Sequence, residues 1–183
     1  RVEAMRALIY YTAFQFDLER IAENEDEKEN LKNMIDILTP MCKGWCTEVG
    51  LEVVQTGLQV MGGVGYIKDF PLEQLYRDAR ISTIYEGTTD IQALDLIGRK
   101  ILRNDGILFQ QLMGHYSELI NEHRDHKEMG QLINVFEGYC ESLYETSIST
   151  REILNDRGME YIALYATPFL MFISSVTAGW LLL

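Results

Sequence analysis

Two short stretches of this sequence hold residue types that chemistry needs. Gln59-Val60-Met61-Gly62-Gly63-Val64-Gly65 ends a helical pattern in glycine, and Tyr85-Glu86-Gly87-Thr88 sets a carboxylate between an aromatic ring and another glycine. Glycine turns between helices suit a nucleotide, because free N–H groups there reach phosphate oxygens. Gly62, Gly63 and Gly65 do not form the strand-linked dinucleotide fingerprint, since no strand pattern precedes them. A helix stop followed by a tight turn accounts for the same glycines. On residue type alone, Glu86 is one acid among 28.

Other groups read as structural. Cys42 and Cys46 are four apart on a helical pattern and can share a face, but with Cys140 they make an odd number and no framework. Buried thiols in a reducing, cytoplasmic setting are the expectation. His123 and His126, near Glu122 and Asp125, fall short of a ligand constellation, so no metal is expected. The alternating charges of Arg77, Asp78 and Arg80 suit an ion-pair network that anchors the loop before Glu86.

The elements that must hold these groups are helical. Apolar residues recur at helical spacing over Val2–Ile21, and again from about Leu31 to Met61, where Pro40 marks a kink or a fresh turn. The acidic run from Glu23 to Asn30 reads as a solvated turn between them. Pro71 opens a short helix carrying Leu72, Leu75 and Tyr76. Another helix runs from Thr89 to Arg103, and three more follow, from Ile107, from Met129 and from Met159. With no alternating pattern of useful length, the fold class is all-α. Asn104-Asp105-Gly106 is a turn signal and divides the chain into domains 1–104 and 105–183.

The net charge of −12 argues against nucleic acid and against an anionic membrane surface. Tyr161 to Leu183 has no charged residue and is long enough to span a bilayer. Its Thr167-Pro168, Ser174-Ser175, Thr177 and Gly179, with no flanking cluster of Lys or Arg, favour the buried helix of a bundle instead. The opening within an amphipathic pattern, without Met, suggests a fragment.

Taken together, Gln59 to Tyr66, Phe70-Pro71-Leu72-Glu73, Tyr76-Arg77-Asp78-Ala79-Arg80 and Ile84-Tyr85-Glu86-Gly87-Thr88-Thr89-Asp90-Ile91-Gln92 resemble the acyl-CoA dehydrogenase signature in order and spacing. The resemblance extends over about Arg1 to Leu102. It implies the family's C-terminal four-helix bundle without its first helix, as part of an FAD enzyme that removes the α and β hydrogens of an acyl-CoA. The segment after residue 104 looks like the extra helical domain of the long members, the 3-methylmercaptopropionyl-CoA dehydrogenase group being the nearest.

Glu86 then matches the catalytic base, with the backbone of Glu86 and Gly87 at the substrate thioester. Gln59, Val60, Met61, Gly62 and Gly63 match the stretch that approaches FAD bound mainly by a neighbouring subunit. Thr88 and Asp90 match positions touching the FAD of the same subunit, although many relatives carry Gln where Asp90 stands, and an ionised carboxylate has no donor. Electron-transfer flavoprotein as acceptor and a homodimer or higher homo-oligomer follow from the same resemblance. The competing readings are an acyl-CoA oxidase, an alkylation-response flavoprotein, or a stand-alone helical oligomerisation module.

Overall fold

The computed structural model describes residues 1–103 and 106–183. The predicted boundary turn falls largely on residues 104 and 105, outside the described residues. The described residues are helical and contain no strand. In order they form α1 (Val2–Ile21), α2 (Glu25–Met61), a 3₁₀ turn (Gly62–Tyr66), α3 (Leu72–Ser82), α4 (Thr89–Asp95), a π-helical continuation (Leu96–Ile101), α5 (Ile107–His123), α6 (Gly130–Arg157) and α7 (Met159–Trp180).

The acidic run is not a turn. Asn24 caps α2, its Oδ1 accepting the N–H of Asp26 at 2.8 Å and of Glu27 at 3.4 Å. Glu25, Asp26 and Glu27 then occupy the first turn, where the helix dipole favours negative charge. The helix therefore starts six residues before the predicted Leu31. Pro40 lies inside α2 without ending it. Its ring removes one backbone bond, but Ile37, Leu38 and Met41 around it are fully buried and hold the helix in place. The helix predicted from Thr89 to Arg103 changes character at Leu96, where the winding loosens from α to π.

α2 is the spine. Its apolar side meets α1 through Leu8 and Met34, and α7 through Trp45 and Leu170. Gly44 lets α2 and α7 approach closely: a methyl group added there would collide with the Cδ2 of Leu170. One continuous core includes Leu8, Leu96, Phe109, Leu112, Ile133 and Leu170, so it runs from α1 through α7. At the far end of α7, Trp180 stands edge-on to Tyr11 at 5.1 Å and beside Tyr116 at 5.5 Å. The fully buried Tyr116 hydroxyl hydrogen-bonds that of Thr177 at 2.7 Å, which satisfies two polar groups inside the core. By length and hydropathy α7 could cross a membrane, yet half of its apolar window is buried against other helices of the same chain.

α3 differs from the rest. No residue of it is buried. Leu75, Tyr76 and Ile81 are all exposed, and Val60, Tyr66, Ile84 and Tyr85 nearby extend the same apolar surface.

The contrast within α7 gives a test of the packing. Leu170 is fully buried and Leu164 is 69% exposed. Leu170→Ala should cost about 2–5 kcal/mol in urea denaturation, whereas Leu164→Ala should change stability by less than about 0.5 kcal/mol.

Candidate functional site

Glu86 sits in the turn between α3 and α4 with φ of +55°, and it is the one non-glycine residue with positive φ among the described residues. Side chains other than glycine, asparagine and aspartate resist this region, because the Cβ crowds the backbone. Gly87 follows with φ of +93°. Two successive left-handed residues turn the chain sharply, and the Glu86 side chain emerges exposed at the tip. Among the described residues its carboxylate makes no hydrogen bond or ion pair.

Five contacts hold this turn. Gln92 Nε2 donates to the Glu86 carbonyl at 3.1 Å. Thr88 caps α4, its hydroxyl accepting the Ile91 N–H at 3.5 Å. Lys43, reaching from α2, donates to the carbonyl of Ser82 at 2.5 Å and lies 5.3 Å from the centre of the Tyr85 ring. A lysine is well placed there, since the last carbonyls of α3 carry partial negative charge and the ring face attracts the cation. Arg80 Nη1 donates to the hydroxyl of Thr83 at 2.6 Å, just ahead of the turn.

The predicted Arg77–Asp78–Arg80 network does not form among the described residues. Arg77 pairs with Glu73 one turn away at 3.4 Å, and Arg80 serves Thr83. Residues one or two apart on a helix do not face each other, whereas those four apart do.

The next turn is fastened from two sides. The Thr89 hydroxyl donates to Glu48 of α2, and the Asp90 carboxylate accepts from the hydroxyl of Thr167 on α7. Glu48, Glu52, Arg80, Thr83, Thr88 and Asp90 line an open groove of about 510 Å³ beside the turn. Asp90 is exposed, and its carboxylate is engaged by a hydroxyl of the chain itself.

Gln59, Val60, Met61, Gly62 and Gly63 lie elsewhere. They form the exposed end of α2 and the start of the 3₁₀ turn. Gly62 closes α2 with φ of +62°, and a Cβ at Gly62 or Gly63 would meet nothing within 4 Å. Sixteen residues of α2 separate Lys43 from Gln59, roughly 24 Å at the helical rise. The structure therefore brings Glu86, Gly87, Thr88 and Asp90 together and leaves the Gln59–Gly63 strip apart. Between them runs a mostly apolar groove of about 770 Å³, lined by Leu58, Tyr66, Tyr76, Ile81 and Ile84 with Arg77 and Arg80 at its edge.

Lys43, Glu48, Gln92 and Thr167 support the site but were given no role by the sequence reading. Lys43 left a signal, as the lone charge in the run Met41-Cys42-Lys43-Gly44-Trp45-Cys46. Thr167 left none, because a threonine within an apolar helix is unremarkable.

The two cysteines of α2 do share a face. Cys42 lies 3.2 Å from the Thr12 hydroxyl, and a hydrogen bond with Cys46 lowers the Cys42 thiol while raising that of Cys46. His126 Nδ1 accepts the N–H groups of Glu128 and Met129, both at 3.3 Å, at the entry to α6.

Known proteins resemble this chain. The family described as "Acyl-CoA dehydrogenase, C-terminal domain" matches residues 1–102. The 3-methylmercaptopropionyl-CoA dehydrogenase of Ruegeria pomeroyi is 35% identical, over 97% of this chain and 30% of that protein. The broad-specificity linear acyl-CoA dehydrogenase FadE5 of Mycobacterium tuberculosis is 29% identical, over 98% of this chain and 30% of that protein. A solved structure described as "Bd2924 apo-form" shares the fold, with a TM-score of 0.70 at 19% identity over 98% of this chain and 30% of its own. The chain thus spans about 30% of the length of these relatives.

The turn geometry predicts opposite responses at neighbouring positions. A Cβ at Gly87 would sit 2.9 Å from Gln92 Nε2 and would force a side chain into a φ of +93°. Gly87→Ala should lower stability by about 1–2 kcal/mol, while Glu86→Gly, which relieves a φ of +55°, should leave the melting temperature unchanged or higher.

Proposed function

The chain belongs to the acyl-CoA dehydrogenase family, and from that premise we propose that it is the base-bearing portion of a complete FAD enzyme that dehydrogenates an acyl-CoA thioester between its α and β carbons. The observation that carries this reading is the backbone of Glu86. Strained residues persist where function needs them, and here the strain falls on the one carboxylate that the family signature aligns with its base.

The reaction asks for a group that takes a weakly acidic α proton. A carboxylate does so efficiently when a dry pocket raises its pKa toward that of the activated thioester. Glu86 projects from a turn held by several contacts, and its carboxylate has no partner among the described residues, so its lone pairs are free for the substrate. The walls that exclude water belong to the remaining 70% or so of the complete protein, by the coverage of the relatives. Gly87, without a side chain, leaves room for the thioester beside the backbone of Glu86.

FAD, when bound, supplies the acceptor for the β hydride. The Gln59–Gly63 strip fits such a group: an exposed amide side chain, and two glycines with open space where a Cβ would stand. The exposed Thr88 fits as well. Asp90 does not, because its carboxylate repels phosphates and already accepts from Thr167. The distance of the strip from the Glu86 turn supports FAD contacts made by two subunits, and so a homodimer or larger homo-oligomer. Electron-transfer flavoprotein as acceptor and a cytoplasmic location complete the proposal.

Glu86→Gln in the complete enzyme keeps the shape and removes the basic lone pair. Flavin content and acyl-CoA affinity should stay near normal, while anaerobic flavin bleaching on mixing with substrate should slow by about 10²–10⁴. Bleaching at the parent rate would assign the proton to another residue.

A further inference from the structure

We propose that α7 acts as a brace for the catalytic turn, and that Thr167 is a positioning residue whose hydroxyl, through Asp90, holds the turn that presents Glu86. This rests on the reading of Glu86 as base and gives the segment after residue 104 a part in it.

The use of hydroxyls along the chain singles Thr167 out. Within helices, Thr12, Thr39, Thr47, Thr56, Thr150 and Thr177 each donate to the carbonyl four residues back, the usual local bond for a helical threonine. Thr167 lies mid-helix and has that option, yet its hydroxyl crosses 77 residues of sequence to Asp90. The acceptor is a carboxylate, which makes the bond stronger than one to a neutral oxygen. Pro168 follows directly; lacking an N–H, it leaves α7 short of one backbone bond at this level.

The packing of α7 sets where the contact stands. Thr167 and Leu170 are three apart and share a face of α7. Leu170 is fully buried over Gly44, where a methyl group would collide with it. One turn further on, Trp45 Nε1 donates to the Ser175 hydroxyl at 3.2 Å. These contacts fix α7 on α2 and set where Thr167 stands. Asp90 lies in the first turn of α4, two residues after the Thr88 cap and two before Gln92, which holds the Glu86 carbonyl. Freeing Asp90 loosens the support of Glu86 on the side of α7, while the Thr89–Glu48 bond still ties the same turn of α4 to α2.

The test uses the complete holoenzyme and four variants. Thr167→Val removes the hydroxyl at constant shape, Thr167→Ser keeps it, Asp90→Ala removes the acceptor, and Asp90→Asn keeps an acceptor oxygen. Amide hydrogen exchange of the peptide covering residues 84–92 is one readout. The others are FAD content, acyl-CoA affinity and the rate of flavin bleaching at saturating substrate. Thr167→Val and Asp90→Ala should speed exchange and slow bleaching by roughly tenfold or more, in line with the cost of misplacing a catalytic group by ~1 Å. FAD content and acyl-CoA affinity should hold, and Thr167→Ser and Asp90→Asn should behave as the parent. The double variant Thr167→Val/Asp90→Ala should be no worse than either single one, because both remove the same bond.

Three results would overturn the brace. They are parent-like exchange and bleaching in Thr167→Val, equal losses in Thr167→Ser, and loss of FAD on changing Asp90, which would make Asp90 a cofactor contact. Should Thr167→Val not fold, the Asp90 pair decides alone, since that residue is exposed. A parent enzyme that acyl-CoA does not bleach would instead refute the reading of Glu86, so the two failures are distinguishable.

Discussion

The absence of a side chain at Gly44 is the constraint on which the arrangement turns. It lets α7 settle against α2 with Leu170 fully buried between them. From that contact, the neighbouring residues of α2 each reach a different element. Lys43 holds the end of α3, Trp45 holds Ser175 on α7, and Glu48 holds Thr89 on α4. A short run of one helix thus positions three others around one turn. The energy comes from apolar burial on the inner face of α2, whereas the polar contacts at its edge set direction more than stability.

That division explains how a strained residue survives. A glutamate with positive φ is unfavourable by itself, and it persists only where the surroundings over-determine the backbone. Gln92, Thr88, Lys43 and Gly87 do this locally, and α2 and α7 do it at one remove. The side chain is left exposed and, among the described residues, without a partner. The neighbouring apolar surface of α3, with Leu75, Tyr76 and Ile81 uncovered, offers a face for further packing.

Helices were legible in the sequence because their apolar residues recur with one period over many turns. α1 matches its predicted limits and α5 its predicted start for that reason. Charge density at the start of α2 suggests a turn, although Asn24 ahead of Glu25-Asp26-Glu27 is a cap signal in its own right. The π-helical winding at Leu96 changes no residue spacing that can be read beforehand. In the site, Glu86, Gly87 and Thr88 stood out by residue type and order. Lys43, Glu48 and Thr167 did not, since each acts across a tertiary contact from 39 to 77 residues away. The role of Asp90 depended on the same contacts: its pairing with Thr167 cannot be seen without α7 in place.

The role proposed for Glu86 is removal of the α proton, and one exchange measurement isolates that step. The complete holoenzyme is incubated in D₂O with an acyl-CoA whose β carbon carries no hydrogen, so that proton removal cannot proceed to hydride loss. Deuterium uptake at the α carbon is followed by mass spectrometry. The account predicts steady uptake with Glu86 in place and none above the solvent background with Glu86→Gln. Uptake at the same rate by both proteins would contradict it.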